Sequence, residues 1–153
     1  MSNVHHYKAF CSWSGETGTG YEEYSRAHSV WAQPAAQRLD VSADPAYRGK
    51  PELLNPEQLV VMAVSSCQLL SFLADAARAG VDVRSYDDVA EGFMPTDQEP
   101  IRITSIKLRP RITVAKGPTE ARIFELVHQA HEECYIANSL KTEVTVEATI
   151  AFV

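Results

Sequence analysis

Residues 55–79 constrain this chain more than any other stretch. Asn55, Pro56 and Glu57 form a helix opening: a capping side chain, a proline in the first turn and an early acid. From there the sequence predicts a helix over Pro56–Ala79 that is apolar on most sides, with Gly80 as its terminating residue. Such a helix cannot lie on a surface with one face in water. It has to be central, covered by sheet or by another subunit. Cys67 sits about three turns into it, and two readings of its sulfur stand. A free cysteine in a core is ordinarily a small hydrophobe, yet a cysteine held inside a helix can also be a nucleophile.

Length and charge narrow the setting. The 153 residues, 45% of them hydrophobic, suit a single domain over residues 1–153 with a substantial core. No uninterrupted apolar run approaches the roughly 18 residues that span a bilayer. The start, MSNVHHYKAF, has neither the basic nor the apolar region of a secretory signal. A cytoplasmic protein without membrane attachment is expected. The formal charge of −6 argues against a nucleic-acid surface, which is normally basic. Three cysteines, with no C-x-x-C, do not make a disulfide scaffold. His128, His131 and Cys134 are close in sequence, but a matching second pair of ligands is missing, so no metal is expected.

Periodicity outlines the rest. Tyr7, Ala9, Cys11 and Trp13 alternate as in a half-buried strand, which makes Cys11 a packing residue. Gly15–Gly20 is a turn without the lysine of a phosphate loop. Tyr21–Val30 reads as another strand, and residues 33–54, with three prolines, as loop around a short strand near Arg38–Val41. Strands follow near Arg84–Ala90 and across Ile101–Val114. In the latter a parity change suggests a bulge near Thr104, and Pro110 implies an edge or a break. A second helix runs from about Pro118 to Cys134, with Ile123, Val127, Ala130 and Cys134 on one buried stripe. Val144, Val146, Ala148, Ile150 and Phe152 alternate as a last strand. The order is that of an α+β fold, two helices packed on antiparallel sheet.

Two cysteines thus fall on the apolar sides of the two long helices. If the helices pack together, Cys67 and Cys134 come within disulfide reach. A redox pair needs one thiolate that reacts and a second thiol that resolves it. Two inert core cysteines are the commoner arrangement.

The wording of these segments adds a resemblance. NPEQLVVMAVSSC resembles the first-cysteine motif of the OsmC/Ohr family, the osmotically inducible and organic hydroperoxide resistance proteins, and HEECYIANSLK resembles its second. SADPAYRGKPELLNPEQL is similar to the approach to the first helix in an OsmC-like branch, and the likeness runs in order from about residue 13 to the C-terminus. The resemblance implies an intertwined homodimer in which two long central helices are wrapped by antiparallel sheets. It implies a thiol peroxidase of the oxidative stress response, acting on organic hydroperoxides with no bound cofactor. Cys67 would become a sulfenic acid, Cys134 would condense with it, and an external dithiol, often a lipoylated protein, would reduce the disulfide.

By the same resemblance Glu57 matches the acid that partners an arginine. Glu57 and Cys67 are ten residues apart on one helix, about 15 Å along its axis. A glutamate side chain cannot bridge that, so Glu57 is expected to serve the other subunit, in a site shared across the dimer. Arg48 approximates the OsmC-like arginine placement and Arg26 the Ohr-like one, with Arg48 slightly preferred. Gln68 stands where several relatives carry histidine or phenylalanine. Tyr21, Trp31 and Phe93 are candidates to line an apolar pocket or to be plain core. Two other functions stay open: a non-enzymatic protein of this fold that binds a hydrophobic small molecule, and a cysteine-based acyl-transfer enzyme, for which no base and orienting third group are evident.

Overall fold

The computed structural model describes residues 2–153, which divide into two compact units, one ending at Leu59 and one running Val60–Val153. In the first unit, β1 (Phe10–Ser12), β2 (His28–Trp31) and β3 (Arg38–Val41) form an antiparallel sheet in that order. Phe10 and Trp31 are register partners whose rings stack at 5.4 Å, and the guanidinium of Arg38, the next partner, lies 4.0 Å from the indole. Packing on β1 therefore falls to Phe10, the opposite parity from the expected one. Cys11 is exposed, which corrects its reading as a packing residue. The strand expected from Tyr21 begins only at His28. Before it, the Arg26 guanidinium donates to the carbonyls of Tyr24 and Tyr21, 2.5 Å each, and stacks 3.6 Å from the Tyr24 ring, holding a turn where a ladder would need those carbonyls free. Among the described residues of this unit only Val41, Ser42 and Asn55 are buried, so the sheet has little core of its own.

Helix α1 (Pro56–Arg78) opens on a reciprocal cap: Asn55 Oδ1 accepts from the Gln58 N–H (2.9 Å) and Gln58 Oε1 from the Asn55 N–H (3.0 Å). Gly80, at φ 71°, follows its end. By length and mean hydropathy (1.7) α1 is apolar enough to cross a membrane, although no uninterrupted apolar run of that length was expected. The same test is passed by core helices, and α1 buries Val64, Gln68, Phe72, Asp75 and Ala76 within the protein.

The second unit adds β4 (Val83–Asp88), β5 (Glu91–Phe93), β6 (Ser105–Leu108), β7 (Pro110–Val114), α2 (Glu120–Glu133), α3 (Tyr135–Asn138), β8 (Glu143–Val146) and β9 (Thr149–Phe152). Two sheets result, β4-β7-β9 and β5-β6-β8. In each the first pair is antiparallel, and β7–β9 and β6–β8 are parallel, so the sheets are mixed. The fold class is α+β, with helices against sheets. Pro110 breaks the Ile101–Val114 segment, as its missing N–H requires, and Ile106, Leu108, Ile112 and Val114 are all buried. The irregularity expected near Thr104 lies elsewhere, between Val83 and Ser85, because residues 101–104 are outside any strand. The single last strand is in fact two. The Glu147 N–H bonds the Leu108 carbonyl at 2.8 Å, and the chain then crosses from β6 to β7 opposite the break at Arg109.

Thr119 caps α2 by accepting the Arg122 N–H at 3.2 Å. Ile123, Leu126, Val127 and Ala130 pack with Phe72, Ala76, Ile112 and Val114, and a second cluster gathers Val64, Ile106 and Leu108. Gly92 is required where β5 passes α1: a Cβ there would lie 2.6 Å from Cγ2 of Val61.

Candidate functional site

Cys67 is half-buried on α1, whereas Cys134 is only 1% exposed at the junction where α2 stops and α3 starts. At that junction the backbone of Cys134 turns extended (φ −62°, ψ 110°), which takes the residue off the helical path while the α2 stripe continues into the core. The two side chains are neighbours, Cys67 lying near enough to act on the Cys134 thiol, and both are free thiols. Burial pushes the Cys134 thiol above its ordinary range. Backbone N–H groups of Ala137 and Ile136 act the other way, and the adjacent Cys67 adds to the rise. The result is a pair of neighbouring reduced thiols, one reachable and one enclosed, drawn from residues 67 positions apart (134 − 67). Such a pair can cycle between dithiol and disulfide.

The same elements carry further polar groups. Gln68 is buried, and its Nε2 donates to the Val127 carbonyl at 3.2 Å, tying α1 to α2, while its Oε1 is buried without a partner. Ser65 donates to one oxygen of Asp88 (2.5 Å), and the Arg109 N–H to the other (2.7 Å). Tyr86 lies two residues before Asp88 on β4, so both face α1. Its ring centroid is 5.8 Å from that of Phe72, and its hydroxyl is buried without a partner. Burial first, then Asp88 and Cys134, pushes this phenol upward. His131 is one turn before Cys134, its carbonyl accepting the Cys134 N–H at 3.3 Å. Its Nδ1 is buried without a partner, beside an open groove of about 510 Å³ that Val127, His128, Val144 and Val146 also line.

The other predicted residues belong to the first unit. Glu57, in the first turn of α1, has Oε2 buried without a partner and lines a cavity of about 180 Å³ with Arg26, His28, Asp44 and Tyr47. Arg48 is elsewhere: it is exposed, ion-paired with Glu22, and holds a left-handed backbone (φ 67°). Of the two candidate guanidiniums, Arg26 is the one that shares a cavity with Glu57. His28, whose Nδ1 is 2.8 Å from the Arg26 carbonyl, had no predicted role, and its spacing two residues after Arg26 was the available signal. Tyr86 had no sequence signal beyond a tyrosine in a strand. Tyr21 and Trp31 are occupied by the guanidiniums of Arg26 and Arg38, and Phe93 is largely exposed.

Residues 49–149 match the family model described as OsmC-like protein. Among solved structures, the chain is similar to an OsmC-like protein of unknown function from Vibrio cholerae, at 31% identity over 95% of this chain and 100% of that one, TM-score 0.86. An organic hydroperoxide resistance protein OsmC from Legionella pneumophila has the same fold at 18% identity, covering 98% and 99% of the two chains, TM-score 0.72. So does an organic hydroperoxide resistance protein from Elizabethkingia anophelis, at 17% identity and full coverage of both, TM-score 0.73. No curated protein matches the chain.

Proposed function

Because the chain belongs to the OsmC-like family, we propose that it is a cytoplasmic thiol peroxidase that reduces organic hydroperoxides. The observation that carries this reading is that the free thiols of Cys67 and Cys134 are neighbours. The thiolate of Cys67 attacks the distal oxygen of the peroxide, the O–O bond breaks, and the alkoxide takes a proton to leave as an alcohol. The Cys67 sulfenic acid then condenses with the Cys134 thiol, forming the S–S bond and releasing water. An external dithiol reduces the disulfide by exchange and is itself oxidised.

The reading includes a homodimer. Met62, Leu70 and Leu73 leave α1 with apolar side chains 48%, 64% and 39% exposed, a surface that a second copy would cover. Glu57 and a guanidinium from one copy would serve Cys67 of the other, stabilising negative charge on the attacking sulfur and orienting the peroxide. Arg26 is favoured for this over Arg48 by the cavity it shares with Glu57.

The test is intact mass of the reduced protein after one equivalent of cumene hydroperoxide, repeated with hydrogen peroxide. The expected result is rapid loss of about two mass units, the two thiol hydrogens, faster with the organic peroxide. With Cys134→Ser, a sulfenic acid trapped at Cys67 should replace the disulfide. Two thiols still free after minutes would overturn the peroxidase and leave a binding protein of the same fold.

A further inference from the structure

Helices α1 and α2 carry the two cysteines, and what holds one helix on the other is almost wholly apolar: Phe72 and Ala76 pack with Ile123, Leu126, Val127 and Ala130. Such packing is strong but non-directional, so by itself it fixes only weakly how far one helix slides along the other. A disulfide is more exacting. Its Cβ atoms have to lie about 3.8 Å apart, while a slip of one helical turn is about 5.4 Å. Among the described residues one hydrogen bond joins the two helices: Gln68, 1% exposed, donates from Nε2 to the Val127 carbonyl at 3.2 Å. Gln68 is the residue after Cys67, and Val127 precedes Cys134 by seven residues, about 10 Å along the same α2 stripe. Stability alone does not account for an amide here. Its Oε1 is buried without a partner, a cost that a methionine or leucine of similar size would not carry. A buried polar group that lowers stability and fixes register is what a core asparagine supplies between paired helices.

We propose that Gln68 is a positioning residue for the cysteine pair: its hydrogen bond to the Val127 carbonyl sets where α2 lies along α1, and so delivers Cys134 beside Cys67. Gln68 acts through the helices, not on sulfur. The acceptor is backbone, whose second lone pair is open to a side chain while the first serves the α2 ladder. No side-chain rotation on α2 can therefore absorb a slip. On α1, Cys67 and Gln68 are consecutive residues of one helix, so the brace and the first sulfur move together. On α2, the Cys134 N–H still bonds the His131 carbonyl at 3.3 Å, which passes the position of the helix on to the second sulfur. Disulfide formation is favoured in proportion to the effective concentration of one thiol at the other. With the brace removed, α2 is free to sample neighbouring positions on an apolar face, and that concentration falls.

This rests on the reading of Cys67 and Cys134 as a redox pair, but the test needs no peroxide. In a Cys11→Ser background the protein is equilibrated with dithiothreitol at set ratios of its oxidised and reduced forms. The two protein thiols give up two protons and two electrons as the S–S bond forms, and the disulfide of the reagent takes them up to become a dithiol. Thiol alkylation and intact mass then read the oxidised fraction. Gln68→Met, close in shape but without the donor, should lower the equilibrium constant about fivefold, the worth of one net hydrogen bond. The melting temperature of the reduced protein should stay level or rise. Gln68→Leu should behave alike. Phe72→Leu, which loosens the same α1–α2 packing and keeps the brace, should lower the melting temperature and leave the constant near its starting value. An unchanged constant in both Gln68 variants, or a fall with Phe72→Leu as large as theirs, would overturn the proposal and leave the peroxidase cycle untouched. So would a starting protein that forms no Cys67–Cys134 disulfide. A Gln68-dependent constant would stand even if peroxide is never turned over.

Discussion

The buried thiol makes stability depend on alkaline pH in a way that can be worked out beforehand. Unfolded, Cys134 should titrate near the ordinary thiol value of about 8.5. Folded, burial raises it above the ordinary range. Between those two values the native state holds a proton that the unfolded state has released. The contribution of Cys134 is therefore fully present below the unfolded pKa and is lost as pH rises through the folded one. The slope is at most about 1.4 kcal/mol per pH unit, reduced by whatever solvent screening reaches the sulfur. Serine at this position does not titrate. At pH 7 Cys134→Ser should be less stable, by about 1 kcal/mol for a hydroxyl placed among apolar neighbours. As pH approaches 10 the protein that keeps Cys134 should fall toward the variant until the two stabilities converge. Both proteins carry Cys67→Ser, since Cys67 acts on the Cys134 thiol and would not titrate alike beside serine; Cys11 is common to both and cancels, and stopping below pH 10 keeps Tyr86 out of the comparison. Urea unfolding in excess reductant, at one fixed protomer concentration, reads both curves. A constant gap from pH 7 to 10 would refute the claim that burial holds this thiol neutral.

Three further outcomes follow from particular contacts. Gly92→Ala puts a methyl 2.6 Å from Val61 Cγ2, so urea unfolding should show a loss of about 1–3 kcal/mol; a neutral effect would mean that β5 is free to shift. Arg26→Ala should slow sulfenic acid formation at Cys67 about tenfold or more, read by rapid quenching, since a guanidinium beside developing charge contributes on that order, whereas Arg48→Ala, which removes an exposed ion pair, should leave it nearly unchanged. Leu70→Glu, at the most exposed of the α1 apolar positions, should shift sedimentation toward the monomer and slow turnover with it. A dimer unaffected by that change would move the interface off α1.

How far the sequence could be read depended on how local each signal was. The cap at Asn55, the stop at Gly80 and the stripe Ile123–Val127–Ala130–Cys134 arise within a few residues of chain. Both long helices were therefore legible to within two residues at each end. Alternation was less reliable. It identified the buried parity of β6 and β7, strands of two sheets that each pack against helix. It misassigned Cys11, because a three-residue strand whose partner supplies the only packing ring has no buried face for alternation to report. The continuous pattern from Val144 to Phe152 concealed a crossing between sheets, since inward parity survives the step.

The candidate site divides along the same line. The sequence by itself determined which residues carry reactive sulfur, which acid opens the central helix, and that both long helices turn a cysteine toward apolar surroundings. Tertiary structure alone decided that the two thiols are neighbours and that Arg26 rather than Arg48 shares a cavity with Glu57. The physical reason is range. Capping and periodicity are energies of neighbouring residues. The cysteine pairing brings together positions 67 and 134 through the backbone turn at the end of α2, and the side-chain partners of Arg26 and Arg48 are set by the loops around them, which no local pattern encodes.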